Sequence, residues 1–68
     1  MKISARNQIE GTITAVHPGA TTSHVTIEVS ATVTITASIT NEAVAELGLK
    51  PGMKAFAVIK ASDVMVGI

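Results

Sequence analysis

Hydroxyl and cationic side chains recur in two short segments near opposite ends of this 68-residue sequence. Ser4 and Arg6 are two positions apart, and Lys60 and Ser62 repeat that spacing. On an extended strand, residues two apart lie on the same face. Hydroxyl, guanidinium and ammonium groups donate hydrogen bonds, and an oxyanion needs such donors because it can only accept. The two pairs therefore indicate a candidate anion site.

A third candidate donor, Thr40, stands immediately before a short segment with helical features. The first N–H groups of a helix lack partners and carry partial positive charge, which favours an anion. Each of these residues also has an ordinary structural interpretation. Thr40 can cap the helix, and Lys60 can be a charged strand end in solvent. Ser62 can cap a turn with Asp63, and Arg6 can pair with Glu10. Spacing alone leaves both interpretations open.

The sequence offers little material for catalysis. Its two histidines are His17, which precedes Pro18 in a turn signal, and His24, which opens the polar face of a predicted strand. We expect both to be exposed, and neither to be catalytic or to bind a metal cation. The carboxylates are scattered, with no spacing typical of a general acid–base pair. The absence of cysteine excludes disulfides and thiolate zinc sites. We expect a binding protein and not an enzyme.

Charge and composition argue against nucleic acid and membrane partners. Five basic and five acidic residues give a formal net charge of zero, and Phe56 is the one aromatic residue of the Phe, Tyr and Trp types. A nucleic-acid-binding protein needs a basic face, and a single-strand binder also needs stacking aromatic rings. There is no signal-peptide pattern and no apolar run long enough to cross a bilayer. We expect a cytoplasmic protein.

Strict alternation across residues 25–39 is the strongest structural pattern. Every odd position is apolar and every even position is Thr, Ser or Glu, which is typical of a strand with one buried face. One straight strand of that length would span about 50 Å, whereas a compact domain of this size is only about 28 Å across. We therefore expect a hairpin with a two-residue turn near Ala31 and Thr32, although neither residue favours the positive φ of hairpin turns.

The remaining elements are short. Strands are predicted at residues 2–9, 11–16, 54–60 and 63–67, and turns at 17–19 and 50–52. Residues 40–48 predict one helix, with Thr40 or Asn41 as its N-cap and Gly48 closing it. These elements predict an all-β fold with one short helix, forming a small OB-like β-barrel of five to six strands over the single domain 1–68.

Self-association is also expected. A folded monomer of 7.0 kDa would expose about 4,000 Å², and a domain this small rarely buries enough apolar area to be stable alone. Hydrophobic residues make up 47% of the chain, which suits burial between subunits. Pairing of open sheet edges between chains would also remove an aggregation hazard.

Several segments together resemble the molbindin (Mop) family of small molybdate- and tungstate-binding proteins. They are Ile-Ser-Ala-Arg-Asn-Gln at 3–8, Gly-Thr-Ile at 11–13, Ile-Thr at 39–40, Leu-Gly-Leu at 47–49 and Val-Ile-Lys-Ala-Ser-Asp-Val-Met at 58–65. The order and separation of these motifs agree with the family over essentially the whole chain. Relatives commonly carry glycines where this sequence has Ser30, Ala31 and Thr32.

The resemblance implies an OB-like barrel with strands exchanged or paired between subunits, and homohexamers arranged as trimers of dimers. It implies that molybdate or tungstate binds between subunits, with no other cofactor. Carried over by motif, one part of the site is Ser4, Ala5 and Arg6, and another is Lys60, Ala61 and Ser62. Thr40 would reach the anion from a partner chain. A second site is placed, on weaker grounds, at the backbone amides of Gly19, Ala20 and Thr21.

Storage or buffering of molybdate or tungstate is the leading functional hypothesis. The alternative is an anion-sensing structural or regulatory module that contacts another protein, which the lack of an effector domain disfavours. An OB-like nucleic-acid binder is a third hypothesis, disfavoured by the single phenylalanine and the absence of basic excess.

Overall fold

Four antiparallel strands form one curled sheet in the computed structural model, which describes residues 1–68. The elements in chain order are β1 (Asn7–Pro18), β2 (Thr22–Ser30), β3 (Val33–Thr40), helix α1 (Asn41–Leu47), β4 (Lys54–Ile59) and a 3₁₀ turn (Ala61–Asp63). The strand order is β3-β2-β1-β4, so the sheet is a half-barrel with open edges at β3 and β4. The predicted mostly-β class with one short helix is confirmed, with four strands in place of five to six.

Strand β1 is shared between two neighbours. Its first half pairs with β4, from Asn7 opposite Ile59 onward, and its second half pairs with β2. The sequence predicted two separate strands here, and that prediction was wrong. Gly11 does not break the strand: a Cβ at this position would lie 2.6 Å from the carbonyl oxygen of Glu28. The glycine permits close packing of two backbones within a continuous strand.

The alternating run forms the predicted hairpin. Ser30 pairs with Val33, so Ala31 and Thr32 make a two-residue turn. Only glycines in the chain have positive φ, which means that the turn avoids the conformation these two residues disfavour. A register irregularity between Glu28 and Ser30 precedes it, and such a bulge adds the local twist that joins the strands.

Helix α1 has the predicted ends. The Thr40 hydroxyl oxygen accepts a hydrogen bond from the Ala43 N–H at 3.1 Å, which makes Thr40 the N-cap and Asn41 the first helical residue. Gly48 closes the helix at φ 65°, and its N–H donates to the Ala45 carbonyl oxygen at 3.2 Å. A glycine is favoured here because a side chain is strained in this left-handed conformation.

The hydrophobic core is small and open on one side. Only six of the 68 residues are buried, and the four hydrophobic ones are Ile13, Val25, Ile27 and Ala57. Beside them lies a cavity of about 480 Å³ whose lining is hydrophobic at twelve of thirteen residues. The exposed surface is 5166 Å², well above the roughly 4,000 Å² of a typical monomer of this mass. Much apolar surface therefore remains uncovered in a single chain.

The chain after the 3₁₀ turn is not a strand, contrary to the strand predicted at residues 63–67. This segment finds no strand partner within its own chain, and its apolar side chains face outward. Met65 is 93% exposed and Val66 is 92% exposed. No helix in the structure has the length and apolar character required to cross a membrane.

Candidate functional site

Strand pairing brings together the two segments that the sequence analysis singled out. Asn7 and Ile59 are the last partners of the β1–β4 ladder, and the Asn7 side chain donates to the Ile59 carbonyl oxygen at 3.2 Å across 52 positions of sequence. The residues just before Asn7 and just after Ile59 therefore share one end of the sheet. They are the six predicted residues Ser4, Ala5, Arg6, Lys60, Ala61 and Ser62.

Backbone hydrogen bonds give this end a defined local shape. The Asp63 N–H donates to the Lys60 carbonyl oxygen at 2.9 Å, which closes the 3₁₀ turn. On the other segment, the Gln8 side chain donates to the Ala5 carbonyl oxygen at 3.1 Å. The turn that involves Asp63 is thus closed by the backbone of Lys60 and not by the Ser62 side chain.

The polar side chains at this end are available to a ligand. Ser4, Arg6, Lys60 and Ser62 are all exposed. None of them takes part in the six hydrogen bonds that side chains make in the fold. Two cations and two hydroxyls on adjoining segments make a donor-rich end, which is suited to an oxyanion. We refer to the six residues Ser4–Arg6 and Lys60–Ser62 as the cationic end.

Thr40 lies elsewhere, beside residues of the predicted second site. It pairs with Thr22 at the end of the β2–β3 ladder that is opposite the hairpin turn, and it borders an open pocket of about 410 Å³. The pocket lining is Ala20, Thr21, Thr40, Asn41 and Glu42. Because the Thr40 oxygen accepts from the Ala43 N–H, its own hydroxyl hydrogen is free to donate outward. The helix-capping role and a ligand-binding role are therefore compatible.

A polar network that includes the buried Ser23 joins the elements around this pocket. The Asn41 side chain donates to the Gly19 carbonyl oxygen at 3.0 Å and accepts from the Ser23 hydroxyl at 2.5 Å. Its backbone N–H donates to the Thr21 carbonyl oxygen at 3.0 Å. These bonds fasten the turn between β1 and β2 to the start of the helix. We refer to this turn and its bonds to Asn41 as the loop latch.

The loop latch changes what the β1–β2 turn can offer to a ligand. The Gly19 N–H donates to the Thr22 carbonyl oxygen at 2.7 Å, so this amide of the predicted second site is already engaged. Sequence reasoning named Asn41 only as a possible cap and missed Ser23, which is 1% exposed. The sequence did carry a signal for Ser23: it lies two positions before buried Val25, and residues two apart on a strand share a face, so Ser23 lies on the core face.

The cationic end and the pocket lie at opposite ends of β1. The cationic end adjoins Asn7, whereas the pocket adjoins the turn that follows Pro18. The twelve residues of β1 separate them. A straight strand of that length would span roughly 35–40 Å, and β1 curls within a molecule whose longest extent is 33 Å. One small tetrahedral anion cannot contact both ends of the same chain.

Charge is also divided between the two ends. Arg6 and Lys60 supply positive charge at the cationic end, while the one charged residue that lines the pocket is Glu42. A dianion in the pocket alone would meet neutral donors and a carboxylate. No group of three or more His, Cys, Asp or Glu side chains is arranged to hold a metal ion.

Comparison with known proteins identifies relatives over the whole chain. Residues 3–66 match the TOBE domain family. A probable molybdenum-pterin-binding protein of Haemophilus influenzae is 40% identical over 68 residues, covering all of this chain and 99% of the relative. A molybdate-binding protein from Sporomusa ovata superposes with a TM-score of 0.93 at 34% identity, and each chain is fully covered. The cytoplasmic molybdate-binding protein ModG, with molybdate bound, matches with a TM-score of 0.93 at 48% identity, covering all of this chain and 48% of ModG.

Proposed function

This chain belongs to the TOBE domain family, and within it to the small molybdenum-pterin-binding proteins. We propose that it binds molybdate or tungstate at interfaces between its own copies. The proposed role is storage or buffering of the oxyanion in the cytoplasm, without catalysis. The ligand is a tetrahedral dianion that needs only hydrogen-bond donors and positive charge. No other cofactor is part of the proposal.

The observation that carries the proposal is the separation of the cationic end from Thr40. Each end offers an incomplete set of donors: Arg6 and Lys60 carry the charge, and the Thr40 hydroxyl adds a neutral donor beside an ordered loop. Two copies packed end to end place the cationic end of one against the Thr40 pocket of the other. A site assembled in this way surrounds the anion from two chains.

The exposed surface supports self-association. It exceeds the value typical of this mass by about 1,100 Å², and a standard interface buries about 800 Å² per partner. The open edges of β3 and β4 and the apolar residues that follow Asp63 offer strands and side chains for such contacts. A homohexamer built as a trimer of dimers is the proposed state.

Selectivity in this proposal comes from cavity size. Because the net charge is zero, long-range attraction is weak and discriminates little between dianions. Sulfate has the same charge and shape as molybdate but is smaller, so a rigid cage would stretch its hydrogen bonds. Stretched bonds are weaker, and sulfate would be rejected.

Calorimetric titration of molybdate into the parent, Arg6→Ala and Lys60→Ala proteins tests the placement of the site. Each variant removes a charge-assisted donor, and we expect at least about a tenfold loss of affinity, equivalent to 1.4 kcal/mol. Lys54→Ala is the matched control, since Lys54 is an exposed lysine at the far end of β4. If both variants bind as well as the parent, the cationic end is not the site.

Mixing two defective proteins tests whether the site is shared between chains. Arg6→Ala and Thr40→Ala proteins each damage every site in their own homo-oligomers. In a mixed dimer, one of the two sites is intact, because the Thr40→Ala chain supplies Arg6 and the Arg6→Ala chain supplies Thr40. The other site lacks both residues. When the two variant proteins are mixed, unfolded and refolded together, we expect part of the molybdate-binding capacity to return. If mixed oligomers form but molybdate binding does not recover, then either Arg6 and Thr40 of the same chain contribute to one site, or neither residue binds the anion.

A further inference from the structure

The register of β1 and β2 places the two histidines of the chain side by side. His17 lies directly opposite His24, and both side chains are exposed. Residues directly opposed in an antiparallel pair point to the same face, with Cβ atoms about 4.5–5.5 Å apart. His24 also faces Ser38 on β3, so a row of two imidazoles and a hydroxyl crosses the outer face of the sheet.

This pairing depends on the bulge in β1. Ile13 opposes Ile27 and Val16 opposes Val25, so both β1 residues lie on the core side although three positions separate them. The register irregularity between Ile13 and Ala15 supplies the extra residue. Under strict alternation, residues 13, 15 and 17 would share one face and His17 would point into the core. The bulge turns His17 outward, beside His24.

We infer that His17 and His24 form a two-imidazole site for a late first-row divalent cation such as Zn²⁺, Ni²⁺ or Cu²⁺. Neutral imidazole is a preferred ligand of these ions. The two donors come from paired strands that end in the loop latch, so the sheet holds them in place before the metal arrives. The remaining coordination positions stay open to water or to a ligand from outside the chain.

The strands beside the histidine pair carry no charge that opposes a cation. Strands β1, β2 and β3 contain no lysine or arginine, so no fixed positive charge on the strands beside the pair repels the ion. The charged residues on these strands are Glu10 and Glu28. The sequence analysis treated each histidine separately, as an exposed turn or strand-end residue, and expected neither to bind a metal cation. Seven positions separate the two histidines in the sequence, and the strand register brings them together.

Calorimetric titration of Zn²⁺ into the full-length protein tests this inference. His17→Gln and His24→Gln each remove one ligand, and Ser38→Ala is the control on the same face. We expect either histidine variant to bind Zn²⁺ about a hundredfold more weakly, because two linked ligands bind far more tightly than one. The control should bind like the parent.

Nuclear magnetic resonance of the imidazole protons provides an independent readout, since the chain has only two histidines. Both sets of signals should shift together as Zn²⁺ is added, with saturation at one ion per chain. The inference is wrong if the parent does not bind Zn²⁺, if only one imidazole shifts, or if one of the two variants keeps the parent affinity. None of these outcomes bears on molybdate binding, which uses other residues.

Discussion

The buried hydroxyl of Ser23 donates a hydrogen bond to the side-chain oxygen of Asn41, 18 positions further along the chain. The same asparagine donates to the Gly19 carbonyl oxygen, so a single side chain links the core face of β2, the β1–β2 turn and the first residue of the helix. This loop latch joins the segments that carry Thr21 and Thr40, both of which line the pocket. Polar burial in this fold therefore serves the geometry of the candidate site.

Replacement of Asn41 by alanine should destabilise the fold by about 1–3 kcal/mol, because it leaves the Ser23 hydroxyl buried without its acceptor. Urea unfolding followed by circular dichroism measures the change. Asn7→Ala is the matched control, since Asn7 makes one side-chain hydrogen bond, at 3.2 Å, in a half-buried position. Its loss should cost less. Equal costs for the two variants would argue against a special role for the loop latch.

Gly11→Ala should destabilise the protein by about 1–3 kcal/mol, through overpacking against a backbone that cannot move away easily. The added Cβ would lie 2.6 Å from the Glu28 carbonyl oxygen and 2.7 Å from the Ile27 side chain. Gly67→Ala is the control, because a Cβ there meets no atom within 4 Å. The same urea experiment compares them, and a neutral Gly11→Ala variant would contradict the described packing of β1 on β2.

Substitution at Thr40 can separate helix capping from anion binding. Aspartate is at least as good an N-cap as threonine, but its carboxylate only accepts hydrogen bonds and repels a dianion. Thr40→Asp should therefore keep the unfolding free energy within about 0.5 kcal/mol while it abolishes measurable molybdate binding. Thr40→Ser, which keeps the hydroxyl, should bind like the parent. If Thr40→Asp binds molybdate normally in calorimetry, Thr40 is a cap and nothing more.

Met65→Glu should dissociate the oligomer without unfolding the chain. Met65 is 93% exposed in the single chain, so a charge there costs nothing within the monomer, whereas burying it between subunits is strongly unfavourable. Sedimentation velocity should show smaller species with unchanged circular dichroism. Thr32→Glu, in the exposed turn between β2 and β3, is the control. Retention of the full assembly by Met65→Glu would exclude this residue from the subunit contacts.

Local patterns predicted most elements of this fold. The hairpin at Ala31 and Thr32 follows from alternation and chain length, and the helix ends follow from Thr40 and Gly48. The sequence predicted two strands on either side of Gly11, whereas the structure has one continuous strand. A glycine in such a pattern can mark either a break in the strand or a close approach of two backbones, and the sequence does not distinguish them. The predicted strand at residues 63–67 is wrong because the apolar run Val64–Val66 shows that these side chains need to be covered but does not say which chain covers them.

The candidate site was predictable in its parts and not in its arrangement. Donor chemistry at Ser4, Arg6, Lys60 and Ser62 is visible in the sequence, and resemblance to a family joined these residues to Thr40. Their division between opposite ends of β1 depends on a ladder that pairs residues 52 positions apart. The loop latch and the histidine pair depend likewise on register, and the β1 bulge that sets it has no clear sequence signature.

Native mass spectrometry of the purified protein, with molybdate and then sulfate at equal concentration, tests the central claim most directly. The account predicts a hexamer that gains several molybdate masses and few or none of sulfate, since the sites lie between subunits and select by size. A monomer that binds molybdate with full occupancy would contradict the shared site. A species of any size that binds neither anion would contradict the proposed function itself.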